Sequence, residues 1–310
     1  MSEAIRQIAE SASEAYERIA EYIVETPLER STHFSDATGA EVYFKLENRQ
    51  HTGSFKLRGA TNRLMTLTEA QRNRGCVAAS SGNHGAAVAY AMQKLGATGV
   101  IFVPEGTSPA KVAAIRDSGG NVQFFGTDGL DTEQHARQYA DQNGLFYLSP
   151  YNDAEVIAGQ GTCGIEIAEQ LPDVDVVFVA VGGGGLISGV GSVLRTVSPE
   201  VRIVGCQPEA SPVMARSLAA GRILDLPSEP TLSDGTAGGI EPDAITFELC
   251  RELIDESVLV SEAQIATAMR EYIEAYDEPI EGAAGVAIAA MQAQQESIKG
   301  RKVVVIICGG

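Results

Sequence analysis

A lysine two residues past a Gly-Ser pair, at the start of a helix, is placed for amine chemistry, and this chain has one in Thr52-Gly53-Ser54-Phe55-Lys56-Leu57-Arg58-Gly59-Ala60. The preceding run Val42-Tyr43-Phe44-Lys45-Leu46-Glu47 alternates apolar and polar side chains, the period of a strand with one buried face. Lys56 therefore opens a helix, with Thr52 or Ser54 as its cap. An ammonium there faces the positive end of the helix dipole, and burial disfavours its charge further. Both effects push the amine toward the neutral, nucleophilic form that condenses with a carbonyl. A lysine near a helix start is more often a solvated side chain, so the reading depends on what stands downstream.

Three further stretches could complete such a site. Val181-Gly182-Gly183-Gly184-Gly185-Leu186 lies between an apolar strand and a helix. Consecutive glycines let the backbone turn its N–H groups toward an anion and the helix start adds its dipole, so one compact phosphate fits. The spacing fits neither Gly-x-Gly-x-x-Gly nor a Walker pattern, and a tight strand-to-helix turn is the plain alternative. Ser80-Ser81-Gly82-Asn83-His84-Gly85 also follows a strand and opens a helix. Its hydroxyls, amide and backbone donors suit a carboxylate, although Ser and Asn are equally ordinary capping residues and His84 could be a satisfied core histidine. Cys308 ends the last strand, where open parallel sheets gather their ligands, against the commoner fate of a buried thiol. His33, His51, His84 and His135 show no metal-ligand spacing, and there is no Gly-x-Ser-x-Gly elbow.

The elements that must position these groups alternate regularly. Residues 5–23 have helical periodicity that Thr26-Pro27 ends. Strands at 76–80, 99–103, 121–125 and 145–148 are separated by helices at 86–95, 108–117 and 131–142, a parallel α/β unit over 73–150. A second series follows: helix 154–171, strand 174–181, helix 186–197 and strand 201–206, then a capping box at Ser261 and Gln264, a helix at 283–295 and a last strand at 302–308. The unit at 73–150 thus reads as a small domain inserted in a larger one made of 1–72 and 151–310. With 44% hydrophobic and 21% charged residues among 310, the composition is that of a soluble globule. The net charge of -18 and the lack of any basic patch argue against nucleic acid or anionic membranes as partners. Five scattered cysteines suit a reducing, cytoplasmic setting, and neither an export signal nor a transmembrane run is expected.

Taken together, Ser54 to Ala60, Ser80 to Gly85, Gly182 to Gly185 and Cys308 to Gly310 resemble, in order and spacing, the pyridoxal-phosphate enzymes of fold type II, and within them the threonine/serine dehydratase and serine racemase group. Pro104, Ile157 to Thr162, Ser233-Asp234-Gly235 and Glu281 to Val286 are similar to further blocks of that family. The resemblance implies two open twisted-sheet α/β domains like those of tryptophan synthase β, a homodimer, and pyridoxal 5'-phosphate as cofactor. It implies that Lys56 holds the cofactor aldehyde, that Phe55 flanks the ring, that Asn83 meets the ring hydroxyl, and that Gly182, Gly183, Gly184 and Gly185 with Leu186 cradle the phosphate. Cys308 would sit beside the pyridine nitrogen and Glu281 near the ring. Ser80, Ser81, Asn83 and His84 would bind the substrate carboxylate side, and Ser81 matches the opposite-face acid/base of racemases. Gln207-Pro208-Glu209 departs from the Glu-Pro of metal-dependent members, so no metal is expected. The implied activity is β-elimination of a 3-hydroxy amino acid such as L-threonine or L-serine to a 2-oxo acid and ammonia. Serine racemisation, or a lyase specific for threo-3-hydroxyaspartate, phenylserine or a hydroxyectoine-derived amino acid, stands as the alternative. A catalytically silent cofactor carrier is the non-enzymatic one.

Overall fold

Ten strands carry the architecture of the computed structural model, which describes residues 1–310: β1 (Leu28–Arg30), β2 (Glu41–Lys45), β3 (Cys76–Ala79), β4 (Gly99–Val103), β5 (Val122–Phe124), β6 (Phe146–Tyr147), β7 (Val176–Ala180), β8 (Arg202–Pro208), β9 (Glu256–Val260) and β10 (Lys302–Ile306). They form two sheets, one of six strands in the order β1-β2-β10-β7-β8-β9 and one of four in the order β5-β4-β3-β6. Every pairing is parallel except β1 with β2. β10 lies between β2 and β7, so residues from both ends of the chain build the larger sheet, while the smaller sheet is contiguous in sequence. Strands covered on both faces read as unbroken apolar runs, and Val176-Val177-Phe178-Val179-Ala180 is buried throughout.

Sequence-based expectation and structure part at the helix ends. Neither Thr52 nor Ser54 caps the helix Lys56–Thr66; its first residue follows Phe55, which offers no capping side chain, and both hydroxyls lack a partner. Ser54 instead forms a β-bridge with Gly309, which takes its backbone out of capping position. The first helix stops at Ile19, not at 23. The Gln50 amide accepts from Val24 N at 2.8 Å and donates to Val24 O at 2.8 Å, a two-way grip that holds the chain out of the helix. The helix Asn83–Leu95 begins three residues earlier than its apolar run suggests, and the strand expected to reach Cys308 ends at Ile306. β1, β9 and the helices Thr32–Thr38, Val213–Ala220 and Ile245–Leu253 were not anticipated.

The helices Lys56–Thr66 and Ala154–Gln170 meet backbone to backbone. A Cβ on Gly159 would lie 2.6 Å from the Gly59 Cα and 2.7 Å from the Arg58 carbonyl oxygen, so only glycine fits the crossing. Beside it lies a charge cluster with no solvent exposure: Arg58, Lys45, Glu47 and Glu166. Two cations face two carboxylates, and each carboxylate accepts from more than one donor, which is the condition under which buried charge is tolerated. Glu166→Ala should cost about 3–5 kcal/mol, because it leaves two cations facing one carboxylate. Chemical denaturation of the apo protein checks this value.

Candidate active site

Parallel sheets leave a crevice beyond the carboxyl ends of their strands, and the four motifs arrive there from four different strands. β2 leads to the Lys56 loop, β3 to Ser80, β7 to the glycine run and β10 to Cys308. Backbone hydrogen bonds lace two of them together: Phe55 N donates to Cys308 O at 3.2 Å, and Gly310 N to Gly53 O at 3.1 Å. Glu281 N donates to Gly309 O at 3.1 Å, which brings the start of the helix Gly282–Ala293 to the same point. The result is a cavity of about 610 Å³, within the range of small-molecule sites. Phe55, Lys56, Ser80, Ser81, Asn83, His84, Gly182 to Leu186, Glu281 and Cys308 all line it, so the residues expected to bind cofactor or substrate reach one space.

Lys56 Nζ donates to Pro150 O at 2.9 Å and lies 5.1 Å from the centre of the Phe55 ring. Burial pulls its pKa down to about 8, against a weaker upward pull from Cys308. The Cys308 thiol is pushed up to about 12 by burial and then by Glu281, so it is neutral at physiological pH. Asn83 Nδ2 donates to Glu281 Oε2 at 2.8 Å, and burial raises the pKa of that carboxyl. His84 Nε2 lies 2.9 Å from Leu148 O. A carbonyl can only accept, so Nε2 carries the proton. Burial, then the charge of Lys56, lowers this imidazole to about 3, which keeps it neutral.

Among the helix starts at the cavity, those of Asn83–Leu95 and Gly185–Val197 carry the serine and glycine motifs. At the second, the N–H groups of Gly182, Gly183 and Gly184 have no protein acceptor, whereas the Gly183 carbonyl is turned away and accepts from Thr246 Oγ1 at 2.6 Å. Gly184 has φ +87°, a left-handed conformation suited to glycine. Tyr151 closes the nest from one side: a Cβ on Gly183 would fall 2.4 Å from its ring. At the first helix start, Ser80 Oγ accepts from Gly82 N at 3.2 Å and Ser81 lines the cavity. Tyr151 was missed because no motif marks it; only packing brings its ring beneath the glycines. Lys111 was missed too, and Asp234 was named only within the Ser233-Asp234-Gly235 block; their 2.8 Å ion pair joins the helix Pro109–Asp117 to the turn Asp234–Thr236 at the wall of the cavity.

A desolvated amine sharing one cavity with these two helix starts is an arrangement that could hold a phosphorylated carbonyl cofactor and a carboxylate. Residues 19–309 match the family model of pyridoxal-phosphate dependent enzymes, and the chain belongs to that family. It is 42% identical to an L-threonine ammonia-lyase of Thermotoga maritima over 97% of this chain and 75% of that protein. Among solved structures, it superimposes on the processed form of threonine deaminase isoform 2 from Solanum lycopersicum with a TM-score of 0.95 at 35% identity, covering 100% of this chain and 90% of that one. Maize serine racemase gives a TM-score of 0.92 at 32% identity, covering 97% and 93%. The fold is therefore that of the type II pyridoxal-phosphate enzymes, and the cofactor is pyridoxal phosphate. No helix is long and apolar enough to cross a membrane.

The residues fit that group: free amides for a phosphate, an amine for an aldehyde and a neutral thiol in the cavity wall. Condensation needs the neutral amine, so the rate at which apo protein takes up the cofactor should rise with pH through about 8 and level off above it. His84 should add no inflection between pH 5 and 7, because it is already neutral there. Stopped-flow absorbance across the pH range reads both.

Proposed function

We propose that the chain catalyses β-elimination from a small 3-hydroxy amino acid, L-threonine or L-serine, releasing a 2-oxo acid and ammonia. The observation that carries the reading is the amine of Lys56, held near pKa 8 in the cavity that also contains the free glycine amides. Pyridoxal phosphate, when bound, would supply an electron sink that acidifies the α-proton of the amino acid. Lys56, freed and neutral, accepts that proton at Nζ. Ser80, Ser81 and the amides at the start of Asn83–Leu95 hold the substrate carboxylate, and the amides of Gly182 to Gly185 fix the phosphate. Cys308, as a neutral thiol, would offer no carboxylate charge to a cofactor ring beside it, which would favour prompt departure of the β-hydroxyl as water. Asn83 and Glu281 anchor the ring side of the site. The enamine released tautomerises and takes up water, and the products are the oxo acid and ammonia.

Racemisation is a second reading, favoured by Ser81 at the cavity wall and the likeness to maize serine racemase. A racemase would return D-serine from L-serine where a lyase returns pyruvate. A cytoplasmic homodimer is the working form proposed with this activity. Purified holoenzyme assayed for oxo acid and ammonia on threonine, serine, threo-3-hydroxyaspartate and phenylserine tests the proposal; no product from any of them overturns it.

A further inference from the structure

The Arg58 guanidinium is saturated along both of its edges. Nε donates to Glu47 Oε2 at 2.7 Å and one terminal nitrogen to Glu47 Oε1 at 2.8 Å. That same nitrogen donates to Glu166 Oε2 at 2.8 Å, and the other donates to Glu166 Oε1 at 2.6 Å and to Thr162 Oγ1 at 3.0 Å. Lys45 Nζ completes the frame, donating to Glu166 Oε2 at 2.6 Å and to Thr26 O at 2.6 Å. Five separate segments meet there: the loop at Thr26, the end of β2, the turn Glu47–Arg49, the helix Ala154–Gln170 and the helix that begins at Lys56.

Residues two apart on a helix point about 200° apart, so Arg58 reaches away from the cavity that Lys56 enters. Arg58 does not line that cavity. The first turn is also uncapped, since neither Thr52 nor Ser54 bonds to it. What fixes it is the backbone bond from Phe55 to Cys308 in front and this double fork behind. From this juxtaposition we propose that Arg58 is a positioning residue for Lys56, its two-carboxylate clamp holding the first helical turn so that the amine stays at its working place in the cavity. The proposal rests on the reading of Lys56 above. A lysine at 58 would keep the charge but cannot grip two carboxylates through paired bonds, so charge and geometry are separable.

The test is Arg58→Lys, with two readouts. In the apo protein, site-resolved labelling by acetic anhydride follows the reactivity of Lys56 against pH without the cofactor. In the holoenzyme, steady-state kinetics separate kcat from KM. Positioning predicts a displaced Lys56 labelling profile together with a kcat reduced by roughly 10²-fold at nearly unchanged KM, the scale expected for a misplacement of about 1 Å. A lower melting temperature with native labelling and native kcat would overturn it and leave the frame purely structural. If Arg58→Lys does not fold, Glu166→Gln keeps the shape and removes one paired charge, and the same two outcomes decide. If the native enzyme turns over no hydroxy amino acid, the reading of function fails, while the labelling profile still judges the clamp.

Discussion

Lys56→Ala should yield a folded protein whose turnover of hydroxy amino acids is lower by at least about 10⁴-fold, the upper end of what a positioned general base contributes. The substitution also removes the group that condenses with the carbonyl, so the visible absorbance of bound cofactor should go with it. The apo protein, in contrast, should not be weakened. Burial holds the Lys56 pKa at about 8, below the ordinary lysine value, so protonation opposes folding. Below pH 8 the amine is protonated in both states and the full penalty applies; between pH 8 and 10.5 the unfolded chain binds the extra proton, and stability rises with pH. Alanine removes that penalty. The variant should therefore melt at or above the native temperature at pH 7, and the gap should close as the pH approaches 10. Calorimetry on apo proteins at the two pH values, beside an oxo-acid assay, checks both halves. Oxo acid formed at the native rate would remove Lys56 from the chemistry.

How far the sequence discloses this site follows from the range of each interaction. β4 is legible to the residue, because a buried strand is an unbroken apolar run between turn residues. The helix at Glu262–Tyr276 is legible from its box, Ser261 and Gln264 bonding to one another's backbones as the spacing requires. β1 has three residues on a sheet edge, only one of them apolar, which is too little to register a period. Ser54 was misjudged because its competitor, Gly309, stands at the other end of the chain. Motif order is enough to place Lys56, Asn83, the glycines and Cys308 along the chain. It does not show that Asn83 meets Glu281, that His84 is tied to Leu148, or that Tyr151 underlies the nest, since each of these is a contact across the fold. The Arg58 cluster is the extreme case: four charges in a sequence normally mean four solvated side chains, and only their mutual neutralisation permits full burial.

Gly183→Ala should weaken cofactor binding by about 10²-fold or more, and it should do so through space and not through backbone strain. Gly184, with φ +87°, would resist any side chain on conformational grounds. Gly183 has no such φ, yet its Cβ would lie 2.4–2.6 Å from three atoms of the Tyr151 ring. The ring cannot swing aside freely: its hydroxyl accepts from Glu241 N at 2.9 Å, and Asn152 beside it donates to Glu241 Oε2 at 2.8 Å. The nest must then shift, and with it the amides of Gly182, Gly183 and Gly184. A hydrogen bond to a charged group contributes about 1.5–3 kcal/mol, so misaligning two of them is sufficient for the expected loss. Removing the ring supplies the control. In Gly183→Ala combined with Tyr151→Ala the clash is gone, so the pair should bind the cofactor more tightly than Gly183→Ala alone, a coupling that additive effects cannot give. Fluorescence titration with pyridoxal phosphate of the native apo protein, Gly183→Ala, Tyr151→Ala and the pair measures the coupling. Native affinity in Gly183→Ala would mean that the glycine serves the turn from β7 into its helix and that the phosphate is held elsewhere.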